Sequence, residues 1–239
     1  MMKALGKVLV IVLLAIAFLV PDTALAATKE ETRLTNLYKD LKHGMTIEQV
    51  ATTLYGKEAK KHIRYRKGQP TILRVPINDE TVEEGHKQLI QVMEDRSVKQ
   101  GPSLVLHFMT KKRSNVYRLV IKAVFIERKS TTGYRESTRQ LKHGAKPENG
   151  MTEKQIDAML TGKGLGHWTT VANMNTTSGY SKEEVRRGFQ ELYRIKTYVF
   201  PTTQKNKWKE INFAYSHERK KFVVDNIRIV GPNDTAPEF

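Results

Sequence analysis

Gly44-Met45-Thr46, followed by Gln49, Val50, Leu54 and Gly56, occurs a second time as Gly150-Met151-Thr152, Gln155, Ile156, Leu160 and Gly162. The spacing is identical at every position: G-M-T-x-x-Q-[VI]-x-x-x-L-x-G. Self-similarity at a fixed separation marks a duplicated unit, and it constrains the fold more than any compositional total. Each copy reads as a helix. Thr46 and Thr152 stand at N-caps, with Gln49 and Gln155 three residues later to return a bond to the cap, which is the capping-box pattern. Met45 and Val50 flank the cap at hydrophobic-staple spacing, as do Met151 and Ile156. Val50 and Leu54, four apart, share one helical face. Gly56 and Gly162 supply the residue type that ends helices in a left-handed conformation. Two helices of about ten residues are therefore predicted, built from folding chemistry rather than catalytic chemistry.

The same separation continues downstream. Ser103–Glu127 aligns with Lys209–Val230, setting Val105 on Ile211, Met109 on Tyr215, Arg113 on Arg219, Ile121 on Ile227 and Lys122 on Arg228. Both stretches read as strand, basic turn, strand. Upstream, Leu41-Lys42-His43-Gly44 recurs as Leu141-Lys142-His143-Gly144, after which the second copy inserts Ala-Lys-Pro-Glu-Asn-Gly. Glu31–His43 predicts a helix with Leu34, Leu37, Tyr38 and Leu41 on one face, and Tyr134–Lys142 its counterpart. Strands are predicted over Thr71–Pro76, Ser103–Thr110 and Val116–Arg128, then over His167–Ala172, Arg194–Pro201, Lys209–Ser216 and Phe222–Val230. Lys87–Glu94 is open between strand and helix, and Ser181–Leu192 reads as a helix capped by Ser181 with Glu184. In Lys209–Ser216 the residues Ile211, Phe213 and Tyr215 alternate with Glu210, Asn212 and Ala214. Such alternation predicts an antiparallel sheet with one face covered and one face free. The expected fold class is α+β: two tandem repeats, each a helix pair packed on one face of an antiparallel sheet, over residues 27–130 and 131–239.

Residues 1–26 fit a secretory signal peptide. Lys3 and Lys7 precede an apolar run from Val8 to Val20, and Ala24-Leu25-Ala26 offers a small-x-small cleavage site. The run is shorter than the roughly 20 residues of a membrane span. The chain has no cysteine, which excludes disulfides, thiolate chemistry and a lipid anchor on cysteine. A secreted chain without disulfides fits a bacterial exporter, and the expected location is extracellular or cell-wall-associated. Cleavage after Ala26 leaves a net charge of +15. A charge of that size attracts polyanions: wall phosphate polymers or anionic lipid, and nucleic acid only outside a physiological setting.

A short helix carrying G-M-[ST]-x-x-[EQ]-V, followed by antiparallel strands, resembles the beta-lactamase inhibitor protein superfamily, and also the SmpA/OmlA lipoproteins of the outer-membrane assembly machinery. Two tandem units in one secreted chain are most similar to the inhibitor branch. The resemblance implies non-enzymatic protein binding through the exposed face of the sheets. It departs in one respect: members of that branch carry disulfides. The shared motif is the helix motif, so it transfers no binding residue by position.

Catalytic patterns are missing from the sequence. Gly162-Lys163-Gly164-Leu165-Gly166 follows a helix rather than a strand and lacks the phosphate-loop spacing, so it reads as a turn. The histidines show no i, i+4 pair, and His43 and His143 recur with the repeat near helix C-termini, where a cation is favourable. The adjacent pairs Glu83-Glu84 and Glu183-Glu184 do not face each other on a helix. No enzyme activity, metal or cofactor is expected. The basic turns Lys111-Lys112-Arg113 and Arg219-Lys220-Lys221 are candidates for carboxylate or polyanion contacts. Further basic groups surround aromatics at Arg64, Tyr65, Arg66 and Lys67, and at Lys205, Lys207, Trp208 and Lys209. On the free sheet face, Lys196, Tyr198, Trp208 and Lys209 are the expected partner contacts, because interface anchors favour aromatic and cationic side chains. The expected partner is an extracellular or envelope protein. The alternative is an anionic wall polymer or lipid bound by the basic surface. Oligomeric state is not legible.

Overall fold

Thr28 and Glu31 close a capping box at the start of α1 (Lys29–Asp40), and Thr46 and Gln49 close another at α2 (Ile47–Tyr55). The structure, a computed structural model, describes residues 27–66, 69–72, 77–94, 101–126, 129–130, 133–134, 139–204, 206–231 and 234. The expected signal peptide, Lys67 and Lys205 lie outside the described residues. Among the described residues no helix is long and apolar enough to cross a membrane. After α2 a 3-10 turn (Gly56–His62) leads to the hairpin β1 (Ile63–Arg66) and β2 (Gln69–Ile72). Then come β3 (Ile77–Glu83), β4 (His86–Glu94), β5 (Ser103–Met109), β6 (Arg118–Phe125), and the short pair β7 (Lys129–Ser130) and β8 (Gly133–Tyr134). The second half holds α3 (Glu153–Ala158), β9 (Thr170–Asn175), α4 (Lys182–Arg186), β10 (Leu192–Pro201), β11 (Trp208–Ser216) and β12 (Lys221–Val230).

Eight of these strands form one antiparallel sheet in the order β12-β11-β10-β9-β6-β5-β4-β3. The sheet runs in chain order, and the halves meet where β6 pairs with β9, from Ile121 opposite Met174 to Phe125 opposite Thr170. The fold is thus α+β, with helices against one face of a large antiparallel sheet. It is not two separate sheets. Leu34, Leu41, Ile47, Val50 and Ala51 from α1 and α2 pack with Leu89, Leu104, Leu106, Phe108, Leu119 and Val124 of the sheet. On the same face in the second half, Ile156 and Leu160 pack with Tyr198, Phe200, Ile211, Phe213 and Val224. Full burial of such side chains contributes about 1.5–3 kcal/mol each.

The two G-M-T phrases make the same backbone bonds. Gly44 N–H donates to Leu119 O at 2.8 Å and Leu119 N–H returns to Met45 O; Gly150 N–H donates to Val224 O at 2.7 Å and Val224 N–H returns to Met151 O. Both glycines sit at φ near +80°, Gly44 at 84° and Gly150 at 82°, a backbone that L side chains resist. Thr152 and Gln155 close the same box as Thr46 and Gln49. Arginines hold both glycine carbonyls, Arg118 on Gly44 O at 3.0 Å and Arg219 on Gly150 O at 3.2 Å. Beyond the helices the correspondence slips by one residue. The β-bulges fall at His107/Phe108 and Asn212/Phe213, so Phe108 rather than His107 corresponds to Phe213.

Several expectations are corrected. The described residues of Tyr134–Lys142 do not form the expected partner helix, and residues 135–138 lie outside the described residues. Gly133–Tyr134 is a strand, and Leu141 forms a bridge with Leu160 while Lys142 N–H donates to Met159 O. The α3 helix has six residues and ends before Gly162, whose φ of 85° serves a following bend; Gly56 does cap α2, at φ 57°. Ser181 caps with Glu184 as read, but α4 stops at Arg186 and Leu192 already lies in β10. Gly188, at φ 86°, breaks the helical run. Lys87–Glu94 is strand, joined to β3 by a two-residue turn in which Glu84 and Gly85 both take positive φ, the geometry of tight hairpins.

Lys122 on β6 is buried beneath α1. Its ammonium donates to Tyr38 O at 2.5 Å and Leu41 O at 2.7 Å and lies 4.4 Å from the Tyr38 ring centre. A cation at a helix C-terminus meets the negative end of the helix dipole. Burial, with Lys42 and Arg194 nearby, pushes this amine down from 10.5 to about 8. Its pKa is therefore lower folded than unfolded. Above pH about 8 the unfolded chain keeps a proton that the folded chain has released, so stability rises with pH up to about 10.5. Denaturant melts of the native chain and Lys122→Met across pH 7–11 should show that rise only in the native chain.

Candidate functional site: the open face of the sheet

Strand register defines what the helix-free face presents. One row runs Ile90, His107, Ile121, Met174, Tyr193 across β4, β5, β6, β9 and β10. The next runs Val92, Val105, Ala123, Ala172, Ile195, Ala214, Val223 across seven strands, apolar throughout. Ile90 is 36 % and Tyr193 43 % exposed, Val92, Val105, Ile121, Ala172, Met174, Ala214 and Val223 are half-buried, and Ala123 and Ile195 are buried. These rows cross the junction between the halves, so the apolar surface belongs to neither half alone. Toward the β12 edge the face turns polar. Thr197 donates to Asn212 Oδ1 at 2.7 Å, and Asn212 Nδ2 donates to Glu210 Oε1 at 3.2 Å. Arg228 holds both Glu210 oxygens at 2.6 and 3.0 Å. Glu210 is only 3 % exposed, so this fork is what makes its burial tolerable.

Of the four expected contact residues, only Trp208 lies on this face. Lys196, Tyr198 and Lys209 point to the helix side. Lys196 pairs with Glu153 of α3 at 2.9 Å and lies over the Phe222 ring, and Tyr198, 6 % exposed, packs edge-on to Phe213. Burial, with the Glu153 carboxylate, pushes the Tyr198 hydroxyl up. Trp208 is on the open face but buried against Val199 and Val230. Alternation along β10 and β11 was legible, but not which parity met the helices. His107, Ile121 and Met174 were missed because they matter only through cross-strand pairing.

All the hairpin turns β3–β4, β5–β6 and β11–β12, and the β9–β10 loop, lie at one end of the sheet. Both basic turns are therefore at that end. Lys111, Arg113, Lys220 and Lys221 are exposed, with Arg113 and Lys220 at positive φ. Lys112 pairs with Glu184 at 3.1 Å, and Arg219 is engaged by Gly150 O. The Ser181 cap, with Lys112, holds the Glu184 carboxyl down at about 2. His43, expected as a cation at a helix end, instead places Nε2 3.0 Å from Asn173 O of β9; burial pushes its pKa down. His143 is exposed.

At the same end a cavity of about 330 Å³ opens beside the apolar row. Glu83, Glu84 and Glu191 stand at its exposed mouth, and His86, His107, Met109, Ile121, Met174 and Tyr180 line it. The β9–β10 loop roofs it. A Cβ on Gly179 would fall 2.7 Å from Met109 Sδ, so only glycine lets the loop lie so close. Buried His86, 2 % exposed, has Nδ1 2.9 Å from Thr110 O and Nε2 3.3 Å from Glu184 Oε1, off hydrogen-bond alignment. His107 Nε2 is buried with no hydrogen-bond partner, and burial pushes that imidazole's pKa down. Among the described residues no cluster of three or more His, Cys, Asp or Glu is arranged to hold a metal.

Arg228→Met should destabilise the fold by about 2–3 kcal/mol in urea unfolding, because it strands a buried carboxylate whose partner was itself only partly buried. Adding Glu210→Leu should recover most of the loss. Comparison with family models, with curated proteins and with solved structures finds no match.

Proposed function

We propose that this is a secreted, non-enzymatic protein-binding module, inhibitor-like or accessory to a cell envelope, that docks a partner protein on the open face of its sheet. The apolar belt across seven strands supports this reading above all, because it is broad, helix-free and flanked by polar groups, as interface cores are. We read the two halves as copies of one ancestral unit. The matched Gly44 and Gly150 bonds and the matched bulges support that, and so does the duplicated phrase. In this account, joining the copies edge to edge doubled the width of the docking face, and the helices hold it flat from behind.

Mature protein should retain one partner from the producing cell's surface or medium through a wash at about 1 M salt, where exposed charge attractions are screened. Val105→Asp and Ala172→Asp, which place a charge in the belt on side chains that are half-buried, should cut that retention at least tenfold with little change in melting temperature. Unchanged retention by both folded variants would contradict docking on this face.

A second reading has its own support. Lys111, Lys182 and Arg186 line a shallow cleft of about 470 Å³ with Tyr180 and Val185, beside the exposed Arg113. A wall phosphate polymer or anionic lipid surface would meet this end first. Binding of that kind should fall steeply between 50 and 500 mM salt, and Lys111→Ala with Arg113→Ala should weaken it several-fold.

A further inference from the structure

The cavity beside the apolar belt is an acidic opening in a strongly basic chain. Its rim carries the side chains of Glu83, Glu84 and Glu191. Gln88 Nε2 engages Glu83 at 2.7 Å, while the fourth nearby carboxylate, Glu184, is occupied by the Ser181 cap and Lys112 and stands 3.3 Å from His86 Nε2 without a hydrogen bond. Among the described residues no lysine or arginine lines the cavity. Tyr180, half-buried in its wall, has its hydroxyl pushed up by burial and by Glu191, Glu84, Glu184 and Glu83, so four carboxylates act on one point. Two further polar atoms lack hydrogen-bond partners there. One is Nε2 of His86, a side chain that is itself almost wholly buried; the other is Nε2 of His107. The inner wall is apolar: Met109, Val120, Ile121 and Met174.

These features fit one kind of occupant. An apolar stem suits the methionine and aliphatic wall, a cationic head suits the carboxylates, its N–H donors suit the unpaired His107 Nε2, and its charge suits the Tyr180 ring. We propose that the cavity receives a lysine or arginine side chain of the partner protein docked on the adjacent apolar belt. This rests on the docking reading above. The row next to the belt lends Ile121, Met174 and His107 to the cavity, so a partner lying across the belt can reach the cavity with a single long side chain. The carboxylate rim also sets which partners fit. An acidic residue at that point is repelled, which discriminates among partners by charge.

The test has two arms on the mature chain. In the first, Nα-acetyl-arginine methyl ester and its neutral isostere Nα-acetyl-citrulline methyl ester are titrated while the His107 ring resonances are followed by NMR. Saturable shifts with the arginine ester are expected, with at least tenfold weaker response to the citrulline ester and in the Glu84→Gln/Glu191→Gln variant. Both glutamates are exposed, so that variant should fold, and its amide spectrum checks this. No saturable shift, or equal response to both esters, would overturn the proposal. In the second arm, partner retention is compared between the native chain and the same double variant. A loss of at least tenfold is expected. Cation binding without any effect on partner retention would show a site for small free amines instead, and would also overturn it. Loss of retention in Val105→Asp alongside intact ester binding separates the fate of the belt from that of the cavity.

Discussion

The backbone ladder between β6 and β9 is the constraint on which the remaining structure depends. Without it each half is a four-stranded meander with a bare inner edge, a template for unwanted strand pairing. With it, both edges are consumed and one sheet spans the molecule. Its register sets Ala123 opposite Ala172 toward the open face and Val124 opposite Val171 toward the helices. A slip of one residue would exchange those faces across the whole sheet. His43, from the α1–α2 connection, reaches Asn173 on β9, so the first half's helical layer also grips the second half's first strand.

Charge is divided between the faces by the same arrangement. On the helix side, cations act as ties: Lys122 buried under α1, Lys196 on Glu153, and Arg118 and the exposed Arg219 on the two glycine carbonyls. The exposed basic turns gather at the loop end. The open face keeps few charges, with Glu210 neutralised by Arg228 near one edge and the carboxylate rim at the loop end. A net charge of +16 for the full chain therefore describes the molecule poorly at the point where its helix-free surface meets a cavity.

Local signals were legible where the physics is local. The capping boxes at Thr46, Thr152 and Ser181 formed as read, because each needs only four consecutive residues. The strands of β5, β6, β10, β11 and β12 were found to within a residue or three, because alternation and β-branched content are written in each segment. What the sequence could not convey was pairing. The union of the halves through β6 and β9 has no sequence mark, since both are ordinary apolar strands. Which face of β10 meets α3 depends on that union, so Tyr198 and Lys196 were assigned to the wrong side. Tyr134–Lys142 carried the repeat's composition without the apolar face that α1 has, and its Leu141 bridges Leu160 just after α3 instead. The cavity draws on β4, β5, β6, β9 and the loop after β9, a grouping visible only once the strands are ordered.

Backbone hydrogen exchange of the mature chain, read residue by residue, tests the central claim that the sheet is continuous through β6 and β9. The account predicts that the amides of Ile121–Phe125 and Thr170–Met174 which face one another are protected as strongly as those of β5 and β11, and that they exchange through the same global opening. Rapid exchange confined to these two strands, with β5 and β11 still protected, would mean that the halves are separate sheets. The proposed docking face, shared by the two halves, would then not exist.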